Sequence, residues 1–272
     1  MSIVLVIIGL IVGGILVGQE MINQAQIRMI VKDIERFKTA AETFKTKYDC
    51  LPGDCGNATT FFGTDNNGCP EGYGTTGTCN GNGDGMVGPP DAQCDPSNDT
   101  AHLEEQKFWQ QLSLAGMING SFNGAPTNYT TTRLDADWPG VNEPLTSFRN
   151  ASYHIYNLSM SGNAGNDSCI KFYVYPAAGG NSIRLGSVTG PGNGQGYNHA
   201  GLMTPQEAKA FDTKFDDGVP NTGTITEDHQ LGSGYFPGWS GQPACSPDGV
   251  TYYSTGVNTT IQECVFEFVN VF

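Results

Sequence analysis

The first 48 residues constrain the fold more than any other part of the chain. Residues 3–18 consist only of Ile, Val, Leu and Gly. Polar side chains then appear, but apolar residues continue at spacings of three and four, at Ile27, Ile30, Ile34, Phe37, Ala41, Phe44 and Tyr48. This rhythm places them on one face of an α-helix, and no proline precedes Pro52. We therefore predict one helix from about residue 2 to about residue 48, roughly 70 Å long at 1.5 Å per residue.

The two halves of this helix need different surroundings. The uncharged run is slightly shorter than the roughly 20 apolar residues of a membrane span. A cleaved secretory signal would begin with basic residues and end in a cleavage site of small residues, and this segment has neither. A buried helix of a soluble protein is a less favoured alternative. We predict a hydrophobic half at 1–26, an amphipathic half at 27–48 that packs on a head, and a globular head at 49–272.

Composition narrows the class of the head. Charged residues make up 15% of the chain, against about 25% in an average domain, and the 37 glycines and 15 prolines favour a loop-rich, β-containing structure. The chain carries a net charge of −14. Residues 1–48 hold six basic and four acidic side chains, so the acidic charge lies in the head. No nucleic-acid partner is expected, because such binding needs a basic face.

The head shows signals for both helices and strands. We predict helices at 103–118 and 204–216, the second opened by a capping box at Thr204 to Glu207. Strand patterns occur at 153–158, 169–175, 183–188, 250–255 and 261–271. The fold class is therefore α+β.

Eight cysteines indicate disulfides rather than a metal centre. They lie at Cys50, Cys55, Cys69, Cys79, Cys94, Cys169, Cys245 and Cys264. No Cys-x-x-Cys occurs, and an even count in an extracytoplasmic chain predicts up to four bridges in the disulfide-rich loops. Cys50–Cys55 and Cys69–Cys79 are local candidates, although eight cysteines allow 105 connectivities.

One glycine-rich segment partly matches a calcium loop. Calcium loops place oxygen ligands at positions 1, 3, 5, 7 and 12 with glycine at position 6. The corresponding residues here are Asn80, Asn82, Asp84, the Met86 carbonyl and Asp91, with Gly85 at position 6. The alternative is a glycine-rich turn without metal. No other cofactor is expected.

Signatures of catalysis are missing from the sequence. It contains no Gly-x-Ser-x-Gly, His-Glu-x-x-His or Walker motif. The glycines at Gly83, Gly85 and Gly88 fit a dinucleotide fingerprint by spacing, but no strand is predicted before them. We expect that the protein is not an enzyme.

The N-terminal run Ser2-Ile-Val-Leu-Val-Ile-Ile-Gly-Leu-Ile-Val-Gly-Gly resembles the start of type IV pilins and of the pseudopilins of type II secretion. Family-level similarity continues at the stalk-to-head junction, 44–54 and 58–63, and at 108–118 and 215–223. In that family a basic leader ends in glycine, and the mature chain opens with phenylalanine and, a few residues later, glutamate. Met1 stands where the family has the residue after that glutamate. We expect a misassigned start or a truncation, the alternative being a protein without the processing site.

The resemblance implies a pilin-like fold, in which the long N-terminal helix packs on a head with an antiparallel β-sheet against the upper half of the helix. It also implies a structural function. It implies a subunit of a type IV pilus-like extracellular filament, anchored in the inner membrane before assembly, with pilus assembly machinery and a prepilin peptidase as partners. The filament core would be a homo-oligomer built from Ile3, Val4, Leu5, Ile7, Ile8, Leu10, Ile11, Ile15 and Leu16. Alternatives are a type II secretion pseudopilin or minor tip pilin, and a membrane-anchored adhesin or sugar-binding protein.

A second acidic cluster lies at the end of the predicted helix 204–216. Asp212, Asp216 and Asp217 stand just before Gly218. Some pseudopilins hold calcium in a C-terminal loop, so the resemblance makes this cluster a second candidate calcium site. Carboxylates at a helix C-terminus also oppose the helix dipole, and a bound cation would relieve this cost. The alternative is a solvated helix end.

Overall fold

The computed structural model has one long helix and a small head. It describes residues 2–66, 68–69, 76–88, 104–124, 139–149, 151–157, 180–187, 201–227, 245–246, 251–252 and 264–272. Within these ranges the helices are α1 (Ser2–Tyr48), α2 (Ala58–Phe62), α3 (Glu104–Leu114) and α4 (Pro205–Phe215). The strands are β1 (Ala151–Asn157), β2 (Asn181–Ser187), β3 (Ile225–Glu227) and β4 (Phe266–Phe268).

The long helix forms as its sequence predicts. α1 is continuous over 47 residues, because nothing in the segment breaks the helical hydrogen bonds. Its second half buries the predicted stripe, with Ile30, Phe37, Ala41 and Phe44 at most 1% exposed. The amphipathic half is thus a structural part of the head core.

The strands form one antiparallel sheet in the order β1-β2-β4-β3. β1 and β2 pair over their full lengths, from Ala151 opposite Ser187 to Asn157 opposite Asn181. β4 lies between β2 and β3, with Phe268 opposite both Ile183 and Ile225. The long helix and this sheet confirm the α+β class.

Aromatic packing joins the helices to the sheet. The Phe37 ring centroid lies 4.9 Å from that of Trp109 on α3 and 5.1 Å from that of Tyr153 on β1, both in edge-to-face geometry. On the other helix, Phe211 of α4 lies 5.1 Å from Phe266 of β4. Such pairs add stabilisation beyond the area they bury.

Several predicted element boundaries shift. α3 ends at Leu114 rather than 118, where Gly116 adopts a positive φ of 69°, and β4 occupies only three residues of the predicted 261–271 strand. The predicted strand at 169–175 lies outside the described residues, as does most of 250–255. β3 was not predicted, because three residues are too few for an alternation pattern to show.

The α4 capping box is confirmed. The Thr204 hydroxyl accepts the Glu207 N–H, and the Glu207 carboxylate accepts the Thr204 N–H. Both donors would otherwise lack an intrahelical partner.

Three disulfides lie within the described residues. They join Cys50 to Cys55, Cys69 to Cys79, and Cys245 to Cys264. The first two confirm the local candidates. Cys94 and Cys169 lie outside the described residues.

The position of Phe37 leads to a stability prediction. Phe37→Ala should lower the free energy of unfolding by about 3–5 kcal/mol, because the cavity removes both aromatic contacts. Denaturant titration of the full chain in detergent measures this change. Met29→Ala, on the same helix but 44% exposed, should cost less than about 0.5 kcal/mol. Equal losses for the two variants would contradict a core role for Phe37.

Candidate functional site

The first candidate site is the uncovered apolar surface of α1. All nine residues predicted to form a filament core are at least half exposed, from 51% for Ile7 to 75% for Ile3. Burying one such side chain contributes about 1.5–3 kcal/mol, so water is an unfavourable environment for a surface of this size. α1 is long and apolar enough to cross a membrane, by length and composition alone.

Four glycines interrupt this apolar surface. A Cβ added at Gly9, Gly13, Gly14 or Gly18 would meet no atom within 4 Å, so packing inside this chain does not require them to be glycine. Gly9 and Gly13 lie four residues apart on one face, and so do Gly14 and Gly18. Small residues at this spacing let two apolar helices approach closely.

The predicted calcium loop folds around two carboxylates that lie outside the motif. The Asp54 carboxylate accepts the backbone N–H groups of Gly83, Asp84 and Gly85 at 2.6, 3.0 and 2.9 Å. The Glu104 carboxylate accepts those of Asn82 and Gly88 at 2.9 and 3.2 Å.

The predicted calcium ligands themselves make local hydrogen bonds. The Asn80 side-chain oxygen accepts the Thr59 N–H, and that of Asn82 accepts the Asp84 N–H. One oxygen of Asp84 accepts the Met86 N–H and the other accepts the Asn82 side-chain amide. Asp91 lies outside the described residues. A calcium ion in this loop stays a prediction.

Sequence reasoning missed Asp54 and Glu104. Asp54 lies 29–31 residues before the N–H groups it binds, so spacing does not reveal the pairing. The available signal was the Pro52-Gly53-Asp54 turn. Gly53 adopts a φ of 83°, and a Cβ there would overlap the Glu104 carbonyl, so glycine allows the turn to approach α3.

Burial perturbs both carboxylates. Burial raises the pKa of Glu104 to about 8, and the charges of Asp54 and Asp84 act in the same direction against the two N–H donors. Burial also raises the pKa of Asp54, which its three N–H donors oppose. The loop is therefore held by acids whose charge depends on pH.

The second acidic cluster is brought together by the structure. Asp212, Asp216 and Asp217 each place a carboxylate oxygen within 4.8 Å of the others. Asp212 is fully buried on α4, and the other two follow the helix. This is the single His, Cys, Asp and Glu grouping with metal-ligand proximity in the described part of the chain.

Comparisons with protein-family models, curated proteins and solved structures find no match for this chain.

The buried Glu104 carboxyl leads to a pH prediction. Its folded pKa of about 8 exceeds the ordinary 4.5, so the folded state holds this proton more tightly than the unfolded state. The stabilisation is complete below pH 4.5 and is lost as the pH rises to 8, with a slope of at most about 1.4 kcal/mol per pH unit. Glu104→Gln should flatten this slope in urea titrations between pH 5 and 8.

The test is the slope of the unfolding free energy against pH. The absolute stability is a poorer test, because glutamine also replaces one hydrogen-bond acceptor by a donor. Glu42→Gln on the exposed face of α1 should keep the wild-type slope. An unchanged slope in Glu104→Gln would show that another group controls the pH dependence.

Proposed function

We propose that this protein is a structural subunit of a type IV pilus-like extracellular filament that polymerises through the apolar half of α1. The observation that carries the proposal is the exposed Ile, Leu and Val surface between Ile3 and Ile22 on a helix whose second half is fixed in the head core. The N-terminal resemblance to pilins and pseudopilins supports the same assignment.

A single helix serves two environments in this proposal. Before assembly, the apolar half lies in the inner membrane, where lipid covers side chains that the head leaves open. During assembly, the apolar halves of many copies pack together, and the pairs Gly9/Gly13 and Gly14/Gly18 provide faces for close approach. Apolar side chains stay covered throughout.

The head is suited to an extracytoplasmic location. Three described disulfides close loops of the head, and disulfides persist in oxidising compartments. Each can contribute a few kcal/mol where loops bury little apolar surface. The acidic side chains of the head would then determine the surface charge of the filament.

Two alternatives remain from the sequence. A pseudopilin or minor tip pilin would use the same helix, in a shorter assembly. A membrane-anchored adhesin or sugar-binding protein could bind its ligand through tryptophan side chains, but Trp109 is fully buried between Phe37 and Phe108. Trp138 and Trp239 lie outside the described residues.

Gly13→Leu separates a filament subunit from a monomeric anchored protein. The substitution keeps the helix apolar, so the chain should stay in the membrane fraction, but it fills the face on which helices approach. We expect sheared filaments to fall at least tenfold by electron microscopy and by the amount of this chain recovered. The control variant Val12→Leu introduces the same side chain at the adjacent position, and it should leave the amount of filaments unchanged.

Intact mass of the sheared material completes this test. Filaments containing a chain extended upstream of Met1, with a methylated N-terminus, would match a processed pilin. A chain that remains in the membrane fraction and never enters filaments would contradict the proposal and favour the anchored surface domain.

A further inference from the structure

We propose that His154 is a pH-sensitive clamp that, in its protonated form, fastens the loop 139–149 to strand β1 and to the start of α3. The inference rests on contacts within the head and is independent of the proposed filament. It also involves none of the predicted calcium ligands.

The loop 139–149 forms a strap along the outer edge of the sheet. β1 is the end strand in the order β1-β2-β4-β3, so one of its sides has no partner among the four described strands. On that side the Pro144 carbonyl accepts the Tyr153 N–H at 3.2 Å. The Thr146 N–H donates to the Ala151 carbonyl at 2.9 Å. The strap therefore covers the beginning of β1.

The His154 ring connects this strap to two other elements. The ring belongs to β1, and its Nδ1 lies 2.6 Å from a carboxylate oxygen of Glu143 in the strap. Its Nε2 lies 3.5 Å from a carboxylate oxygen of Glu105 on α3. The Glu143 side chain is 1% exposed, that of His154 16% and that of Glu105 17%. Water and salt therefore screen these interactions less than at an open surface.

Only the protonated ring can satisfy both carboxylates. Imidazolium has an N–H on each nitrogen, whereas neutral imidazole has one N–H and one lone pair. In the neutral form, the ring donates to Glu143 or to Glu105, and its lone pair faces the other carboxylate. Two nearby negative charges favour the imidazolium, and loss of the proton weakens the contact with one of the two partners.

The neighbouring arginine has a carboxylate partner of its own. Arg184 on β2 stands opposite His154 in the sheet register, so its positive charge opposes protonation of the ring. The Arg184 Nε donates to a Glu267 carboxylate oxygen at 2.5 Å, and both side chains are at most 1% exposed. Since this pair has no net charge, the two facing carboxylates are the larger influence on the ring.

The clamp should close at mildly acidic pH and open as the pH rises. A histidine in an unfolded chain titrates near pH 6.5, whereas the folded ring holds its proton more tightly. The contribution of the clamp is therefore complete below about pH 6.5, down to the range near 4.3 where glutamates protonate. It is lost as the pH rises through the higher titration midpoint of the folded protein. The strap keeps its backbone bonds to β1, so we expect local loosening rather than unfolding.

The first test is the titration of His154 by NMR in the full chain in detergent. The chain has four histidines, so histidine labelling gives a simple spectrum in which each ring can be followed. We expect a midpoint for His154 above about pH 7, which is at least a threefold tighter hold on the proton than in an unfolded chain. A midpoint at or below pH 7 would overturn the proposal.

The second test measures the strap itself by hydrogen exchange. Peptides that span 143–153 contain the Thr146 and Tyr153 amides, which bond between strap and strand. After correction for the intrinsic effect of pH on exchange, their protection should fall at least threefold between pH 6 and pH 8.5. Peptides from 30–44 in α1 should fall less. An equal fall in both would show a change of global stability, to which Glu104 also contributes, and would refute a local clamp.

Matched variants assign both effects to these contacts. Glu105→Gln, at a partly exposed position, removes one carboxylate charge and should lower the His154 midpoint by at least about half a pH unit. Glu42→Gln, on the exposed face of α1, should leave the midpoint unchanged. His154→Gln does not titrate, so protection of the strap should lose its extra dependence on pH.

Two outcomes with these variants would also contradict the proposal: an unchanged midpoint in Glu105→Gln, or a strap in His154→Gln that still loosens with pH as in the wild type. Circular dichroism should confirm that each variant folds. If His154→Gln does not fold, the wild-type titration and the Glu105→Gln variant decide the outcome.

Discussion

The head depends on the contact of Phe37 with Trp109 and Tyr153. This contact joins the middle of α1 to α3 and to β1, and the Tyr153 hydroxyl adds a hydrogen bond to Asp33 at 3.1 Å. Because all three rings are buried, the second half of α1 cannot leave the head without opening its core. The helix is therefore a structural element of the head, rather than a tether to it.

Local patterns in the sequence predicted the parts of the fold that depend on near neighbours. The apolar rhythm from Ile27 to Tyr48 predicted the buried face of α1, and Thr204 with Glu207 predicted the start of α4. Short loops also revealed the Cys50–Cys55 pair. In each case, the interacting residues lie within a few turns of helix or one loop, so their spacing carries the information.

Pairings distant in sequence were not predictable in this way. Glu267 reaches Arg184 across the sheet at 2.5 Å, and both side chains are at most 1% exposed. Lys107 and Asp65 form another buried pair at 3.6 Å, and burial lowers the pKa of Lys107 to about 8. Charged residues usually lie at the protein surface, so the sequence alone predicts that these side chains are exposed. Only the folded structure shows that each has a buried partner.

The buried carboxylates show how a loop-rich head accommodates acidic groups. Asp54 has three backbone N–H donors and Glu104 has two, so loop backbone replaces the water that burial removes. Asp212 on α4 accepts the Tyr252 hydroxyl, and a hydrogen bond from the Gly218 backbone also favours its charged form. All three buried acids are therefore supported by hydrogen bonds from neighbouring residues.

The continuous helix also links the head to whatever covers the apolar half. The large apolar side chains of α1 from Ile3 to Ile22 are exposed. Gln26 then donates a hydrogen bond to the Ser147 carbonyl at 2.9 Å, before the first fully buried residue at Ile30. No break separates the exposed half from the buried half. Since a helix transmits orientation along its length, the packing of residues 3–22 in lipid or against other copies would determine where each head lies. Assembly through this half would therefore order the heads without extensive contacts between them.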